Sequence, residues 1–324
     1  MVKVTILITV KNVKNTIRMC LDSLLNQSFK ESYNIIIVDS LSTDGTQEIL
    51  KNYSKKYTKI KVIELKCSQP EAFNYAIKNN LLKGDIIALL DGDCVADKNW
   101  LINIVKNIEN GKEIVGGIGM TPKKADFLQR LIGYDLDYRF LSTKVGYVNR
   151  HPNMNLAMKK EIIEKMLFDE SLPIAYDTEF GYRLRKLNKK IWFDPEIKVE
   201  HYHRASLKNY TKQQINSGKY AFIVYNKRTG GIKKDNINPW WMIYQPIFFV
   251  TMVLFLFLSV FVRQLLFFSF FSFFVLNFIF LIIIIKEFLM FKKAEVFLVY
   301  FLYWYRLVFW HVGAFFGLLK INKF

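Results

Sequence analysis

The stretch GDIIALLDGDC, residues 84–94, decides the fold. Ile86 to Leu90 form a short apolar run of the kind that fills a strand buried on both faces. The run stops at Asp91-Gly92-Asp93. Residues two apart on extended backbone point to the same side, so Asp91 and Asp93 can reach one point together. Open parallel α/β sheets take their ligands at the carboxyl ends of the strands. Two carboxylates there, with a glycine between them to admit a ligand, suit a hard divalent cation carrying phosphates. The same three residues also read as a polar turn closing a strand, since Asp and Gly favour turns.

Working back towards the start, Val2 to Val10 is a β-branched run that reads as a buried strand. Thr16 to Leu25 follows as an amphipathic helix, and Tyr33 to Val38 as a second strand that ends in Asp39. The segment SLSTDGT that comes next is a loop by composition. It lacks the glycine spacing and lysine of a P-loop, so it reads as a turn and helix cap. Thr46 to Tyr53, Ile60 to Leu65 and Pro70 to Leu82 continue as helix, strand and helix, with Pro70 near a helix start, where its missing N–H costs nothing. The alternation predicts an α/β domain on a parallel sheet with right-handed crossovers. It places Asp39 and the Asp91/Asp93 pair at strand carboxyl ends, where Asp39 could accept from a base or ribose or else cap its own loop.

The 324 residues leave room for that domain and for something else. Beyond about residue 240 the sequence turns to long Phe/Leu/Ile runs with almost no charge. The net charge of +18 calls for an acidic partner, and anionic lipid and a nucleotide pyrophosphate both fit. No reading helix, finger or stacking motif supports nucleic acid. The three cysteines, Cys20, Cys67 and Cys94, show no metal-ligand spacing and fit a reducing compartment. The first ten residues read as a strand rather than as a secretory signal.

Six pieces in order resemble family 2 of the inverting, nucleotide-sugar-dependent glycosyltransferases, which have the GT-A fold, Rossmann-like and mostly parallel in its sheet. They are ITVKN (8–12), VDSLSTDGT (38–46), GDIIALLDGDC (84–94), NMNLAMKK (153–160), FDESLPIAYDTEFGYRL (168–184) and IWFDPEIKVEH (191–201). The resemblance covers about residues 2 to 215 and rests on the order and spacing of the pieces together. It implies that Asp39 contacts the base, that Asp91 contacts the donor's ribose or phosphate side, and that Asp93 binds a metal, Mn²⁺ or Mg²⁺. It further implies Asp177 as catalytic base, His201 as a further metal ligand with His203 in reserve, and Thr9, Asn12, Asn74 and Arg183 beside the donor. Read from the residues alone, Asp177 is also a helix N-cap and Arg183 also the partner of a neighbouring acid. His151 and His311 take no role. An inverting transfer needs one base for the acceptor hydroxyl and positive charge for the leaving diphosphate, which matches this set.

The chain departs from the family pattern in four places. Thr9 stands where proline is usual, Phe73 where an arginine often holds the diphosphate, and Tyr176 where an acid often precedes the base. Gln213-Gln214 is not followed by the Arg-Trp of processive synthases, so single transfers are expected.

Three apolar segments, 240–262, 265–285 and 294–319, are long enough to cross a bilayer. Residues 1–205 then form the catalytic domain, 206–239 a basic amphipathic juxtamembrane segment lying on the membrane or packed on the domain, and 240–324 an all-α transmembrane region. Lys227, Arg228, Lys233 and Lys234 precede the first span, and Lys286, Lys292 and Lys293 follow the second. By the positive-inside rule the domain is cytoplasmic. Arg306 in the third segment reads as snorkelling from a helix end, the favoured reading, or as a contact for a lipid phosphate.

The expected activity is therefore transfer of a sugar from a nucleotide-diphosphate sugar to a lipid-linked saccharide acceptor at the cytoplasmic face. A UDP-sugar is favoured because uracil offers Asp39 an N–H, while a GDP-sugar also has donors to offer. The rivals are a polyprenyl-phosphate sugar synthase and a non-catalytic membrane scaffold.

Overall fold

Val4–Val10 (β1) is buried along its whole length, as the β-branched run requires. The chain then alternates through Lys14–Leu25 (α1), Tyr33–Asp39 (β2), Thr46–Lys56 (α2), Ile60–Glu64 (β3), Gln69–Lys78 (α3) and Ile86–Asp91 (β4). β1 pairs in parallel with both β2 and β4, and β3 adds in parallel to β2. This half of the sheet matches the sequence reading. α3 starts with a Ser68/Glu71 capping box and stops at Lys78 rather than running on to Leu82, its exit turned by Asn80 in the left-handed region at φ 52°.

The second half is built differently. Cys94–Ala96 (β5), Trp100–Glu109 (α4), Ile114–Met120 (β6), Phe127–Leu141 (α5), Gly146–Val148 (β7), Asn155–Lys159 (β8), Lys160–Lys165 (α6), Tyr176–Lys186 (α7) and Ile191–His201 (β9) follow. The strand order is β3-β2-β1-β4-β8-β6-β9-β5, with β7 on β9. β8 runs antiparallel to both β4 and β6, and β5 runs antiparallel to β9. The result is a mixed, mostly parallel Rossmann-like sheet of the GT-A type.

A computed structural model describes residues 3–225 and 239–321. The chain divides into two units, Met1–Ala125 with Phe140–His203, and Asp126–Arg139 with Arg204–Phe324. The first unit spans most of residues 1–205, read from the sequence as one domain, without the segment 126–139. Leu131 and Tyr134 of that segment are buried in the apolar core of the second unit, which removes them from the first.

The second unit continues with Leu207–Ile223 (α8), Trp240–Leu258 (α9), Leu266–Phe291 (α10) and Val299–Ile321 (α11). Three segments, Trp240–Leu258, Arg263–Phe291 and Ala294–Leu319, are long and apolar enough to cross a membrane. Three details differ from the sequence reading. α10 does not end at Ile285 but runs through Lys286 and Glu287, because the Glu287 carboxylate is buried and accepts from the Tyr303 hydroxyl. Arg306 does not snorkel. It is 6% exposed and donates from Nη1 to Asp135 Oδ2 at 2.7 Å. α8 packs on α11, where Trp310 Nε1 donates to Gln214 Oε1 at 2.9 Å. The basic cluster Lys227, Arg228, Lys233 and Lys234 lies outside the described residues.

Candidate active site

Strand register gathers the first group of acids. Val10 on β1 pairs with Asp39 on β2, while Thr9 pairs with Asp91 on β4. Neighbouring strands lie about 4.8 Å apart, so the carboxyl-end edge of three strands carries Thr9 beside Asp91, with Asp39 one register step further on. Thr9 is buried, and its Oγ1 has no hydrogen-bond partner among the described residues. Such a hydroxyl at a strand end is a place for a ligand atom.

Asp39 is fully buried and held by its own loop. Its Oδ2 accepts from the Ser42 amide at 3.0 Å and from Gln47 Nε2 at 3.1 Å, and its Oδ1 accepts from the Ser42 hydroxyl at 2.5 Å. Leu41, left-handed at φ 54°, tightens the turn that brings Ser42 back. Asn12, also left-handed at φ 55°, accepts from the Thr43 amide at 2.8 Å, and its own amide donates to Ser42 Oγ at 2.8 Å. Asp44 accepts from the amides of Lys14 and Thr46. Burial pushes the Asp44 carboxyl up, but these hydrogen bonds outweigh it and hold the group below its ordinary range. The Ser/Thr/Asp loop thus spends its polar atoms lacing two loops into one platform.

The Asp91-Gly92-Asp93 turn joins β4 to β5. Gln69 Nε2 donates to Asp91 Oδ1 at 3.0 Å. The glycine serves packing rather than ligand access, since a Cβ at Gly92 would lie 2.6 Å from Val10 Cγ1. β9 then brings His201 opposite Cys94. His201 Nε2 lies 3.7 Å from Asp93 Oδ1, and Cys94 Sγ completes a group whose ligand atoms all lie within 4.8 Å of one another. His203 stacks edge-on against His201 at 4.6 Å and shares a 3.1 Å hydrogen bond with Thr121 Oγ1, which occupies it elsewhere.

A carboxylate and an imidazole at this separation fit a divalent cation whose remaining sites are filled by diphosphate oxygens. Cys94 is the odd member. Burial, then the charges of Asp93 and Asp91, push its thiol well up, and sulfur is a soft ligand poorly matched to a hard ion. It was not a candidate from sequence, and only strand pairing brings it here.

Asp177 lies in the first turn of α7 and is half-buried. It is not the helix cap. That post belongs to Ala175, which is left-handed at φ 63° and offers no capping side chain. Asp177 Oδ1 accepts from the Thr178 amide at 2.7 Å, and Oδ2 has no hydrogen bond to a described residue. Tyr176, next to Asp177 in the chain, is buried, and burial, then the charges of Asp91 and Asp177, push its phenol well above the ordinary range. Phe73 and Phe168 pack on its ring at 6.1 and 5.7 Å.

Two residues expected beside the donor are engaged in other ways. Asn74 Nδ2 donates to the Phe168 carbonyl at 2.9 Å and to Glu170 Oε1 at 2.8 Å, while Oδ1 accepts from the Phe168 amide at 2.8 Å. It pins the loop before α7 to α3. Arg183 donates from Nε to Glu179 at 2.7 Å and from Nη2 to the Leu167 carbonyl at 2.8 Å, the acid pairing weighed from the sequence. Arg150 and Gln69 were missed. Arg150 donates to Thr178 Oγ1 at 2.6 Å, next to Asp177, across a sequence gap that no local pattern signals.

Residues 5–190 match Glycosyl transferase family 2. The chain is 28% identical over 281 residues to dolichyl N-acetyl-alpha-D-glucosaminyl phosphate 3-beta-D-2,3-diacetamido-2,3-dideoxy-beta-D-glucuronosyltransferase of Methanococcus voltae, covering 82% of this chain and 83% of that one. It is 33% identical over 119 residues to glycosyltransferase AglE of Haloferax volcanii, covering 35% of this chain and 38% of that protein. Among solved structures it is similar to the mannosyltransferase PcManGT of Pyrobaculum calidifontis, in complex with GDP-Man and Mn²⁺, with a TM-score of 0.61, 15% identity, and coverage of 98% of this chain and 87% of that one.

Proposed function

Because the chain belongs to glycosyl transferase family 2 and is a glycosyltransferase, we propose that it is a metal-dependent inverting enzyme that moves one sugar from a nucleotide-diphosphate sugar to a lipid-linked saccharide. The observation that carries the reading is the meeting of Asp93 and His201, 3.7 Å apart where the β4–β5 turn is brought against the end of β9. It sets an acid and an imidazole beside Asp91 at a strand carboxyl end, where a cation and a donor diphosphate would sit.

In this reading Asp39 and the laced loop receive the base, and Thr9 offers its hydroxyl to the donor. Asp93 and His201 hold the cation, with Asp91 beside it. Bound there, the cation offsets the charge that builds on the leaving diphosphate. Asp177 accepts the acceptor hydroxyl proton while the acceptor oxygen bonds to the anomeric carbon and the bond from that carbon to the diphosphate breaks. Asn74 and Arg183 act as positioning residues, holding the 167–170 loop and α7 in place.

The Methanococcus voltae relative is named for a dolichyl-phosphate-linked sugar acceptor, which supports a lipid-linked acceptor here. The apolar helices support anchoring in a membrane, and the lysines at Lys286, Lys292 and Lys293 support a cytoplasmic catalytic unit. Asp39 suits uracil, while the Pyrobaculum calidifontis neighbour was solved with GDP-Man, so both donor bases belong in the test. Purified protein in lipid is assayed with UDP- and GDP-sugars and Mn²⁺ or Mg²⁺. Metal-dependent turnover of one donor, lost in both Asp93→Ala and Asp177→Asn, is the expected result. Unchanged biological activity of Asp177→Asn would instead favour the scaffold.

A further inference from the structure

The three apolar segments of the second unit are not equivalent. α9 and α10 form a hairpin of helices: the turn Arg263–Leu265 joins them, Ser269 Oγ donates to the Met252 carbonyl at 2.9 Å, and Phe255 packs on Phe268 at 5.2 Å. Both carry large exposed apolar side chains around their outer surfaces, among them Ile247, Val250, Leu254 and Phe257 on α9 and Phe267, Phe274 and Phe278 on α10. That is the surface of a helix pair surrounded by hydrocarbon.

α11 is two-faced. Phe301, Val308, Val312, Phe315 and Leu319 are exposed, and their spacing sets them on a single stripe. The opposite stripe is covered in part by α9 and α10, whose Trp241 and Phe280 pack on Tyr303, and over Arg306, Trp310, Gly313 and Gly317 by α5 and α8. Arg306 pairs with Asp135 of α5, and Gln214 of α8 accepts from Trp310. α8 comes to backbone contact, since a Cβ at Gly218 would lie 2.1 Å from the Trp310 carbonyl oxygen and one at Gly313 would lie 1.9 Å from that of Ile215. The two helices run in the same direction, with Thr211 hydrogen-bonded to Tyr305 and Lys219 beside Gly317. The other side of α8 exposes Lys208, Asn209, Lys212 and Gln213.

A crossing α11 would carry α8 with it, and Lys208, Lys212 and Gln213 would then face acyl chains, paired with no acid among the described residues. Charged side chains are strongly disfavoured at that depth. Lying flat, the same pair satisfies both faces: an apolar stripe on lipid and lysines at the headgroups.

We propose that only α9 and α10 cross the bilayer, and that α11, paired with α8, lies in the membrane surface on the side from which α9 enters. The pair is then a lipid-docking platform, and the end of the chain returns to the side it started from. This rests on the reading of the chain as membrane-anchored.

The test uses the full chain in bacterial membranes. A fluorescent-protein or alkaline-phosphatase reporter is appended after Phe324, with a control reporter inserted at Val262 in the α9–α10 turn. Fluorescence without phosphatase activity at the end of the chain, with the reverse at Val262, is the expected pattern. Phosphatase activity at the end of the chain, with the Val262 control unchanged, overturns the proposal. A second measurement places nitroxides at Val308→Cys, Phe315→Cys and Leu319→Cys in a Cys67→Ser background reconstituted in phosphatidylcholine vesicles. All three should report one shallow depth. A crossing helix would instead spread Val308 and Leu319 by roughly 16 Å along the bilayer normal, and that spread would also overturn it. Alkaline carbonate extraction separates the two readings. Protein washed off the membrane defeats the anchoring itself, whereas protein retained with its end on the far side defeats only the platform.

Discussion

The two halves of the catalytic sheet carry their acids in opposite ways. In the β1–β4 half, Asp39 is locked by Ser42 and Gln47, and the loops at Asn12 and Asp44 are laced together. In the other half, Asp177 accepts, among the described residues, from its neighbour Thr178 alone, on a helix whose cap is a left-handed alanine. One half laces its acid into a loop, and the other leaves a carboxylate oxygen without a described partner. A donor's nucleotide is an unreacting handle and benefits from a preformed seat, whereas a base must take a proton and give it up.

The contrast is broken most sharply at Asp177. Asp177→Asn keeps the size of the side chain and removes its basicity, so kcat should fall by about 10²–10⁴-fold while donor affinity holds, read by initial rates and by donor titration calorimetry. Loss of donor affinity to the same extent would show that the two halves are not separable. Asp93→Ala should do the reverse in binding. Removing a carboxylate 3.7 Å from His201 Nε2 should weaken metal-supported donor binding by roughly 100-fold, and added Mn²⁺ should recover part of it. A variant whose donor affinity is the same with and without chelator would place the cation elsewhere.

The β1–β4 half was legible and the acceptor half was not, for physical reasons. Parallel strands buried on both faces read as unbroken apolar runs, so Val4–Val10 and Ile86–Leu90 announce themselves, and register then follows from their length. β8 inserts antiparallel between β4 and β6, β9 pairs with β5 across a long sequence separation, and no local pattern says that Cys94 lies opposite His201. The resemblance picked out Asp177, but which residues hold its loop depends on Asn74 reaching residue 168 and Arg150 reaching Thr178, contacts with no periodic signature. In the second unit, apolar runs gave the helices, whereas Glu287 continuing α10 rests on a buried partner, Tyr303, sixteen residues on.

Asn74 offers a finer test of the same contrast, because it joins the halves. If it only holds the loop, Asn74→Ala leaves the Phe168 amide and carbonyl without their partners and should cost about 1–3 kcal/mol of stability. Donor affinity at a temperature where the variant is folded should be unchanged. Thermal unfolding followed beside donor titration separates the outcomes, and a variant of normal stability with weak donor binding would restore Asn74 to the donor site.

The smallest effect expected is at Ala175. A non-glycine residue at φ 63° costs roughly 1–2 kcal/mol, which glycine avoids. Glycine also gains freedom in the unfolded chain, which offsets about 0.4–1 kcal/mol of that benefit. Ala175→Gly should therefore stabilise the first unit by no more than about 1.6 kcal/mol, visible as a small rise in the unfolding midpoint. Its effect on turnover carries the information. If the alanine's conformation is what aims Asp177, the glycine variant, free to leave that conformation, should show a lower kcat with donor affinity intact. If packing of Tyr176 between Phe73 and Phe168 already fixes the start of α7, kcat should not move, and the rigidity of the acceptor half then comes from its aromatic cluster.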